Sequence, residues 1–218
     1  MKEPEDIIIN GRTLRNILDT ASPEKPAQLN DAELQGVNLR NANLKNAYLK
    51  NTNLWGANLI HAALDGANLQ GAYLMRATLI SVTLVGANLE NANLMDATLI
   101  GADLEDVNLT NANLSGVDLT ITNMKGTILR DAILKNAILK GANLTNADLT
   151  GADLTNVDVK GAILKGTKIK LPDSAKDLQE DMGREKPEKN KTDESKSPSD
   201  DDLNLSQRLR KFVTGKPD

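Results

Sequence analysis

The sequence predicts an all-β solenoid, in which the chain winds in coils and each coil pairs with the next. Two observations lead to this prediction. Stepping by five from Leu29 to Ile169 meets an apolar residue every time, over 29 consecutive pentads, and it is Leu except at Met124, Val159 and Ile169. Ala in most pentads, and otherwise Val or Thr, lies two positions before each of these residues. A repeat at a fixed short period is typical of solenoids, whose units bury their apolar faces against their neighbours.

A period of five fits neither a helix nor one straight strand. A helix repeats its apolar face about every 3.6 residues, and a strand alternates sides at every residue. Residues two apart on extended chain point the same way, so the small and the large residue both face inward, and the chain then turns before the next pentad. Residues that tolerate tight turns and positive φ occupy the remaining slots, as in Gly86, Asn91, Asp96, Gly101 and Asp106.

The repeat has a recognisable form, seen in Ala57-Asn58-Leu59, Ala102-Asp103-Leu104 and Ala147-Asp148-Leu149. With its pattern A-(D/N)-L-x-x, the sequence resembles the pentapeptide-repeat proteins. The resemblance implies a right-handed quadrilateral β-helix with one pentad on each side. A coil of 20 residues agrees with the recurrence of outward-facing Ile at positions 60, 80 and 100, and about seven such coils fill residues 27–171.

The segment before the array, residues 1–26, is predicted to be an N-terminal cap. The stretch Ile7 to Asn10 favours a short strand, and the following stretch, Gly11 to Asp19, places Leu14, Ile17 and Leu18 at helical spacing. A stack of strands exposes unpaired backbone and apolar interior at its ends, which is why a cap is expected there.

After the array, residues 172–218 are rich in charge, Pro and Ser and are predicted to form a disordered tail. Within it, residues 203–213 again contain large apolar residues at helical spacing, with Arg208, Arg210 and Lys211 between them. We expect this short helical motif to fold on a partner. Its apolar residues are Leu205, Leu209, Phe212 and Val213.

The residues that carry chemistry in enzymes are scarce or scattered. His61, the single histidine, falls at a turn position, where we expect an ordinary exposed side chain. Asp148, Asp153 and Asp158 occupy the Asn/Asp slots of successive pentads, which face different sides of the coil. No phosphate-binding loop, nucleophile motif or metal-spaced cluster occurs. The sequence therefore predicts a protein that is not an enzyme and has no cofactor, metal or small-molecule substrate.

Composition and the N-terminal sequence bear on location. The chain has 218 residues and no cysteine, which favours a reducing cytoplasm. Its start lacks the basic and apolar regions of a secretion signal, and no apolar run is long enough for a transmembrane helix. We expect a cytoplasmic protein.

Two neighbouring sides of the predicted coil have apolar residues in slots that elsewhere hold polar ones, such as Lys45, Gln70 and Thr110. Contiguous exposed apolar residues of this kind usually mark interaction surfaces, with aromatic and Met side chains at their centres. The alternative is that the N-terminal helix or the tail of the same chain covers them. We call this set the apolar patch: Trp55, Ile60, Tyr73, Met75, Ile80, Met95 and Ile100.

The charge pattern raises a competing hypothesis, mimicry of duplex DNA, which is a role attributed to some pentapeptide-repeat proteins that act on topoisomerases. Residues 27–171 contain 13 acidic and 12 basic residues, a nearly neutral balance that argues against mimicry by the whole rod. A local acidic region remains, because no Lys or Arg occurs from Ala77 to Met124, whereas Asp103, Glu105 and Asp106 lie there on one side.

These observations favour a non-enzymatic interaction scaffold. It is predicted to dock a protein partner or a second copy of the chain through the apolar patch, with the motif at 203–213 as a secondary, tethered contact. We do not expect nucleic acid to be a partner. The alternative is a DNA-mimic modulator of a topoisomerase or of another nucleic-acid-binding protein.

Overall fold

The fold was examined in a computed structural model, which describes residues 1–169. Parallel backbone pairs join residues 20 positions apart through the whole array, from Gln28 with Tyr48 to Asp148 with Lys168. The residue before each central Leu pairs with its equivalents in the layers above and below, as Tyr73 does with Asn53 and Asn93. The chain therefore advances one layer every four pentads.

Every fifth residue from Asp31 to Gly166 has a positive φ, between 53° and 77°. These residues form the corners of the coil. The prediction that Gly86, Asn91, Asp96 and their equivalents turn the chain agrees with their φ values of 66°, 58° and 57°. Glycine has no steric penalty in this region and Asn or Asp only a small one, which explains why these three residue types fill most corners.

The Asn/Asp slot has a structural task that the sequence pattern alone did not indicate. Its side-chain oxygen accepts a hydrogen bond from the backbone N–H two residues later, as Asn93 Oδ1 does from Met95 N at 3.1 Å and Asp103 Oδ1 does from Glu105 N at 3.2 Å. This Asx turn holds the chain just before the corner. The slot therefore favours Asn and Asp for hydrogen bonding as well as for polarity.

The core consists of the two inward columns. The Ala-slot and Leu-slot side chains are buried almost throughout, and Leu94 and Leu89 are fully shielded from solvent. Leu154, close to the C-terminal end of the described region, is only partly buried. Where Thr replaces Ala, its hydroxyl donates to a backbone carbonyl, as Thr52 does to Leu29 at 2.7 Å and Thr127 does to Leu104 at 2.8 Å. These buried hydroxyls are therefore satisfied.

The N-terminal segment differs in detail from the strand and helix expected there. A 3-10 helix at Pro4–Asp6 precedes a hairpin of β1 (Ile8–Ile9) and β2 (Arg12–Thr13), and α1 (Leu14–Asp19) follows directly. Asn10 and Gly11, with φ of 49° and 75°, form the hairpin turn, a pairing that two-residue turns favour. The helix begins only at Leu14 because Thr13 caps it by accepting a hydrogen bond from Asn16 N.

This segment packs onto the first coil at one end of the array. Lys2 pairs in parallel with Val37, and Leu14 and Ile17 of α1 are buried in the same apolar core as the Leu column. A cavity of about 330 Å³ remains between α1 and the first coil, lined by Arg15, Leu18 and Asn38 among others. The N-terminal residues thus occupy the end of the array.

We predict that Leu94→Ala lowers the free energy of unfolding by about 2–5 kcal/mol, through lost burial and the cavity left behind. Urea unfolding followed by circular dichroism measures this loss. Asn91→Gly is the control, because it keeps the left-handed corner and should change stability by less than about 0.5 kcal/mol. Equal losses in the two variants would contradict the buried Leu column.

Candidate functional site

The apolar patch lies on two adjacent sides of the coil, in columns whose members are 20 residues apart. In one column the carbonyl of Met75 accepts from Gly56 N at 2.9 Å, and that of Met95 accepts from Arg76 N at 3.0 Å. In the other, the carbonyl of Ile80 accepts from His61 N and that of Ile100 from Ser81 N, each at 3.0 Å. The backbone ladder therefore stacks the predicted residues in successive layers, about one strand spacing of 4.8 Å apart.

Exposure is uneven across the patch. Trp55 and Tyr73 are 48% and 53% exposed, whereas the Met and Ile members are partly buried. Side chains stacked in one column cover each other's flanks, which explains the lower exposure of Met75, Ile80 and their equivalents. The aromatic pair is the most accessible part of this surface.

Tyr73 occupies an Asn/Asp slot, so its pentad has no side-chain acceptor for the Asx turn. Its neighbours in the same column, Asn53 and Asn93, accept from Trp55 N at 3.2 Å and Met95 N at 3.1 Å. Tyr73 thus gives up a local hydrogen bond of the fold and presents an aromatic ring to solvent instead.

Ile121 extends this surface, and the sequence reasoning missed it. Its side chain is 69% exposed, more than that of any other large apolar residue described in the repeat array. It follows Thr120, whose carbonyl accepts from Gly101 N at 3.0 Å, and so lies one layer beyond Ile100. Ile121 is also a corner residue with φ of 59°, a conformation that β-branched residues rarely adopt. An Ile in a slot otherwise given mostly to Gly, Asn and Asp was the signal that could have revealed it.

A second group of exposed apolar residues was also not predicted. Ile128, Ile133 and Ile163 are 37%, 42% and 53% exposed and, like Tyr73, occupy Asn/Asp slots. They lie on different sides of the coil, each two residues before Arg130, Lys135 or Lys165. Because they face different directions, they do not form one patch.

Within the described part of the chain, the candidate titratable residues lie apart from one another. Residues 1–169 contain no group of three or more His, Cys, Asp or Glu side chains able to hold a metal ion. His61 is an exposed corner residue with φ of 58°. Asp148, Asp153 and Asp158 lie on successive sides and each accepts the N–H two residues later, at 3.0–3.1 Å. They are turn residues of the fold.

Asp148 illustrates how the layers are joined electrostatically. Arg130 Nε lies 2.8 Å from its Oδ2, and the Thr150 hydroxyl donates to its Oδ1 at 2.6 Å. Burial raises the pKa of Asp148, but the hydrogen bonds from Thr150 and Arg130 outweigh that effect and the pKa falls below its ordinary value. The Lys140 to Asp158 pair, at 3.4 Å, repeats the arrangement on another side.

The sequence profile of the family described as pentapeptide repeats matches residues 27–62, 57–96, 92–131 and 127–166, with eight copies. The chain belongs to the pentapeptide-repeat family. This confirms the resemblance drawn from the A-(D/N)-L-x-x pattern, and the pairing of residues 20 apart agrees with the β-helix it implied.

Solved structures of other pentapeptide-repeat proteins are similar to this chain. The protein Rfr23 from the cyanobacterium Cyanothece 51142 is 44% identical over 40% of this chain and 60% of its own, with a TM-score of 0.40. HetL of Nostoc sp. strain PCC 7120, involved in heterocyst differentiation regulation, is 29% identical over 67% of this chain and 79% of its own, with a TM-score of 0.39. QnrB1, a plasmid-mediated fluoroquinolone resistance protein, is 19% identical over 72% of this chain and 96% of its own, with a TM-score of 0.32. Comparison with curated proteins finds no match.

The acidic side of this pentapeptide-repeat protein is partly neutralised by the next layer. Lys125 Nζ lies 2.9 Å from Glu105 Oε1, and Asn123 Nδ2 donates to Asp103 Oδ1 at 2.9 Å. The hydrogen bonds from Lys125 and Asn123 lower the pKa of Glu105. The absence of Lys and Arg from 77 to 124 thus overstates the local negative charge, because the coil places Lys125 beside Glu105. Asp106 remains exposed.

Two further predictions concern the C-terminal tail and transmembrane helices. The tail motif, with Leu205, Leu209, Phe212 and Val213, lies outside the residues that the structure describes, as does the predicted disordered segment. Among residues 1–169, no helix has the length and apolar character needed to cross a bilayer.

The ion pair of Asp148 with Arg130 makes the free energy of unfolding depend on pH. A carboxyl whose folded pKa lies below its unfolded value of about 3.9 stabilises the fold above that pH and loses the contribution as the pH falls through the folded pKa. Asp148→Asn should therefore be less stable than the wild type at pH ~7, by about 1 kcal/mol, and this difference should close as the pH falls through the lowered folded pKa of Asp148. Urea midpoints at several pH values measure this difference in stability. Introducing Arg130→Gln into both proteins should make the difference smaller, because the ion pair is then already lost. A difference that persists at low pH would contradict the ion pair.

Proposed function

We propose that the protein is a non-enzymatic interaction scaffold that docks a protein partner, or a second copy of the chain, through the apolar patch. The observation that carries this proposal is the pair Trp55 and Tyr73, each about half exposed on consecutive layers of one side. Solvent-exposed aromatic side chains beside Met75 and Met95 are the composition of an interface centre. The proposed body is a right-handed rod of about seven coils, with α1 and its hairpin as the N-terminal cap.

The rigidity of the rod supports this role. Each patch residue belongs to a backbone ladder bonded to the layers on both sides, so the side chains are presented at fixed spacing. A preformed surface loses little conformational entropy on binding, which leaves more of the contact energy for affinity. An enzymatic role has no comparable support, since Asp148, Asp153 and Asp158 serve the turns.

Support for the alternative, mimicry of DNA, is weaker. The Lys125 ammonium offsets the charge of Glu105, which reduces the charge available to a cationic partner, and the Asn123 amide occupies one hydrogen-bond acceptor of Asp103. The proposal accordingly includes no nucleic-acid mimicry, cofactor or small-molecule substrate. The lack of cysteine fits a cytoplasmic setting, and that location is part of the proposal.

Trp55→Ala combined with Ile80→Asp should weaken partner binding or self-association by at least ~2 kcal/mol, about 30-fold in Kd, with a melting temperature close to that of the wild type. The matched control is Gln70→Ala with Val85→Asp, which alters the equivalent slots on the other two sides. Sedimentation measures self-association, and capture from native cells compares partner recovery. A patch variant that retains every interaction of the wild type would refute the docking surface.

A supercoiling assay with a bacterial topoisomerase distinguishes the two functions. We expect no inhibition when the protein is titrated into the reaction, since its acidic side is partly paired. Inhibition that disappears in Asp103→Asn with Glu105→Gln would favour the mimic over the scaffold.

A further inference from the structure

We propose that the apolar patch, extended by Ile121, is covered in the isolated protein by the chain's own C-terminal segment, residues 203–213, which competes with the external partner. This inference rests on the proposed function, because it assigns a regulator to the same surface. Four observations support it: two side chains that violate local rules of the fold, the reach of the chain, the complementarity of the two surfaces, and the position of the N-terminal segment.

The first observation concerns Tyr73 and Ile121, which the fold itself does not favour. Tyr73 replaces a hydrogen-bonding Asn in a column where Asn53 and Asn93 both complete their turns. Ile121 holds a left-handed corner with φ of 59° although Gly, Asn or Asp would fit there without strain. Violations of local preference without structural compensation concentrate at functional sites. Both side chains are more than half exposed on this surface, which marks it as a place of contact.

The second observation is the length of the chain beyond the described region. Residues 170–204 separate Ile169 from Leu205 by 35 residues. A chain of that length without fixed structure has a root-mean-square span of about 30–35 Å. The layers of Ile100 and Trp55 lie only about three and five strand spacings from the last coil, roughly 14 and 24 Å. A flexible tether of that length would be long enough for the segment to meet the patch of its own molecule, at an effective concentration near the millimolar range.

The third observation is complementarity. Leu205, Leu209, Phe212 and Val213 are spaced to share one face of a helix, and such a face suits an apolar surface. Arg208, Arg210 and Lys211 add three positive charges. In the layers of Met95, Ile100 and Ile121 the receiving surface carries two acidic side chains, Asp96, which is exposed at the corner between the two columns, and Asp118, which lies beside Thr120. The basic Lys135 and Lys140 follow only in the next layer. Arg76, which occupies the corner one layer earlier, would repel the cations of the segment and so favour their approach to Asp96 and Asp118.

The fourth observation is that the N-terminal segment is engaged elsewhere. Leu14 and Ile17 are buried in the core at the end of the array, and Leu18 and Arg15 line the cavity against the first coil. With that segment in place, Trp55 is still 48% exposed. Of the chain's own segments, the C-terminal one is therefore the occupant that reach and charge favour.

Trp55 is the single tryptophan, so its fluorescence reports on the patch in the full-length protein. The test variant is Leu209→Asp with Phe212→Asp, and the matched control is Leu178→Asp with Met182→Asp in the preceding part of the tail. We expect a blue emission maximum in the wild type and the control at any dilution. The test variant should show a red shift and about twofold stronger quenching by acrylamide, as docking in cis is lost.

A synthetic peptide of residues 203–213 supplies the reverse test. Added to the test variant, it should restore the blue emission with a Kd of roughly 0.1 mM or below, the range in which a copy tethered at about 1 mM is mostly bound. Ile121→Asn introduced into that variant should weaken peptide binding by at least about threefold while its melting temperature stays equal or rises. Weaker binding with a lower melting temperature would mean that Ile121 acts through the fold.

The remaining outcomes separate this inference from the proposed function. Emission that is red and identical in wild type and test variant, with no peptide response, would overturn docking of the tail. Blue emission that turns red on dilution would also overturn it, because a second copy would then be the cover. In either case, partner capture that is lost in Trp55→Ala with Ile80→Asp would leave the proposed function standing.

Discussion

The left-handed corner at every fifth residue is the constraint on which the rest of the structure depends. It turns the chain after each short extended piece, so that four pentads close one coil and residue i meets residue i+20. A side chain with a Cβ costs about 1–2 kcal/mol in this conformation unless it is Asn or Asp, and Gly avoids the cost. Selection for these three residues at the corners therefore fixes the period, and the period places both inward columns in the core.

The repeated left-handed corner also determines which residues are buried and which are exposed. The Ala and Leu columns are closed to solvent, so recognition is confined to the outward slots, and the ladder repeats each slot at every layer. Similar residues 20 apart in sequence then form a continuous stripe. A few substitutions suffice to convert a polar stripe into an apolar one, as Trp55, Met75 and Met95 do, without altering the backbone that presents them.

The period, the corners and the stacking of the apolar patch could be predicted because they depend on spacing alone. The contacts that could not be predicted depend on residues far apart in sequence. The pairing of Lys125 with Glu105 is invisible in a linear scan that ends at Met124, although the 20-residue period would have placed them side by side. The hairpin was missed for a different reason: its turn signal, Asn10-Gly11, was divided between an expected strand and an expected helix. Ile121 could not be predicted as a surface residue from the slots after each Leu, because it occupies a corner, where the repeat pattern predicts only a turn residue.

Departures from the repeat fall into two physical classes, and the difference between them indicates where function lies. Thr52 and Thr127 depart from Ala in the core, and each hydroxyl has a carbonyl partner, so the fold absorbs the change. Tyr73 and Ile121 depart from Asn, Asp or Gly on the surface, where one loses a turn hydrogen bond and the other takes a strained φ. The first class leaves no unsatisfied group, whereas the second carries a local cost, and such costs are frequent at functional sites. Tyr73 lies on the side bearing Trp55, and Ile121 lies at the far corner of the neighbouring side bearing Ile100, so both costs fall on the two sides that carry the apolar patch. This is why the same surface is assigned both to the partner and to the segment that competes with it.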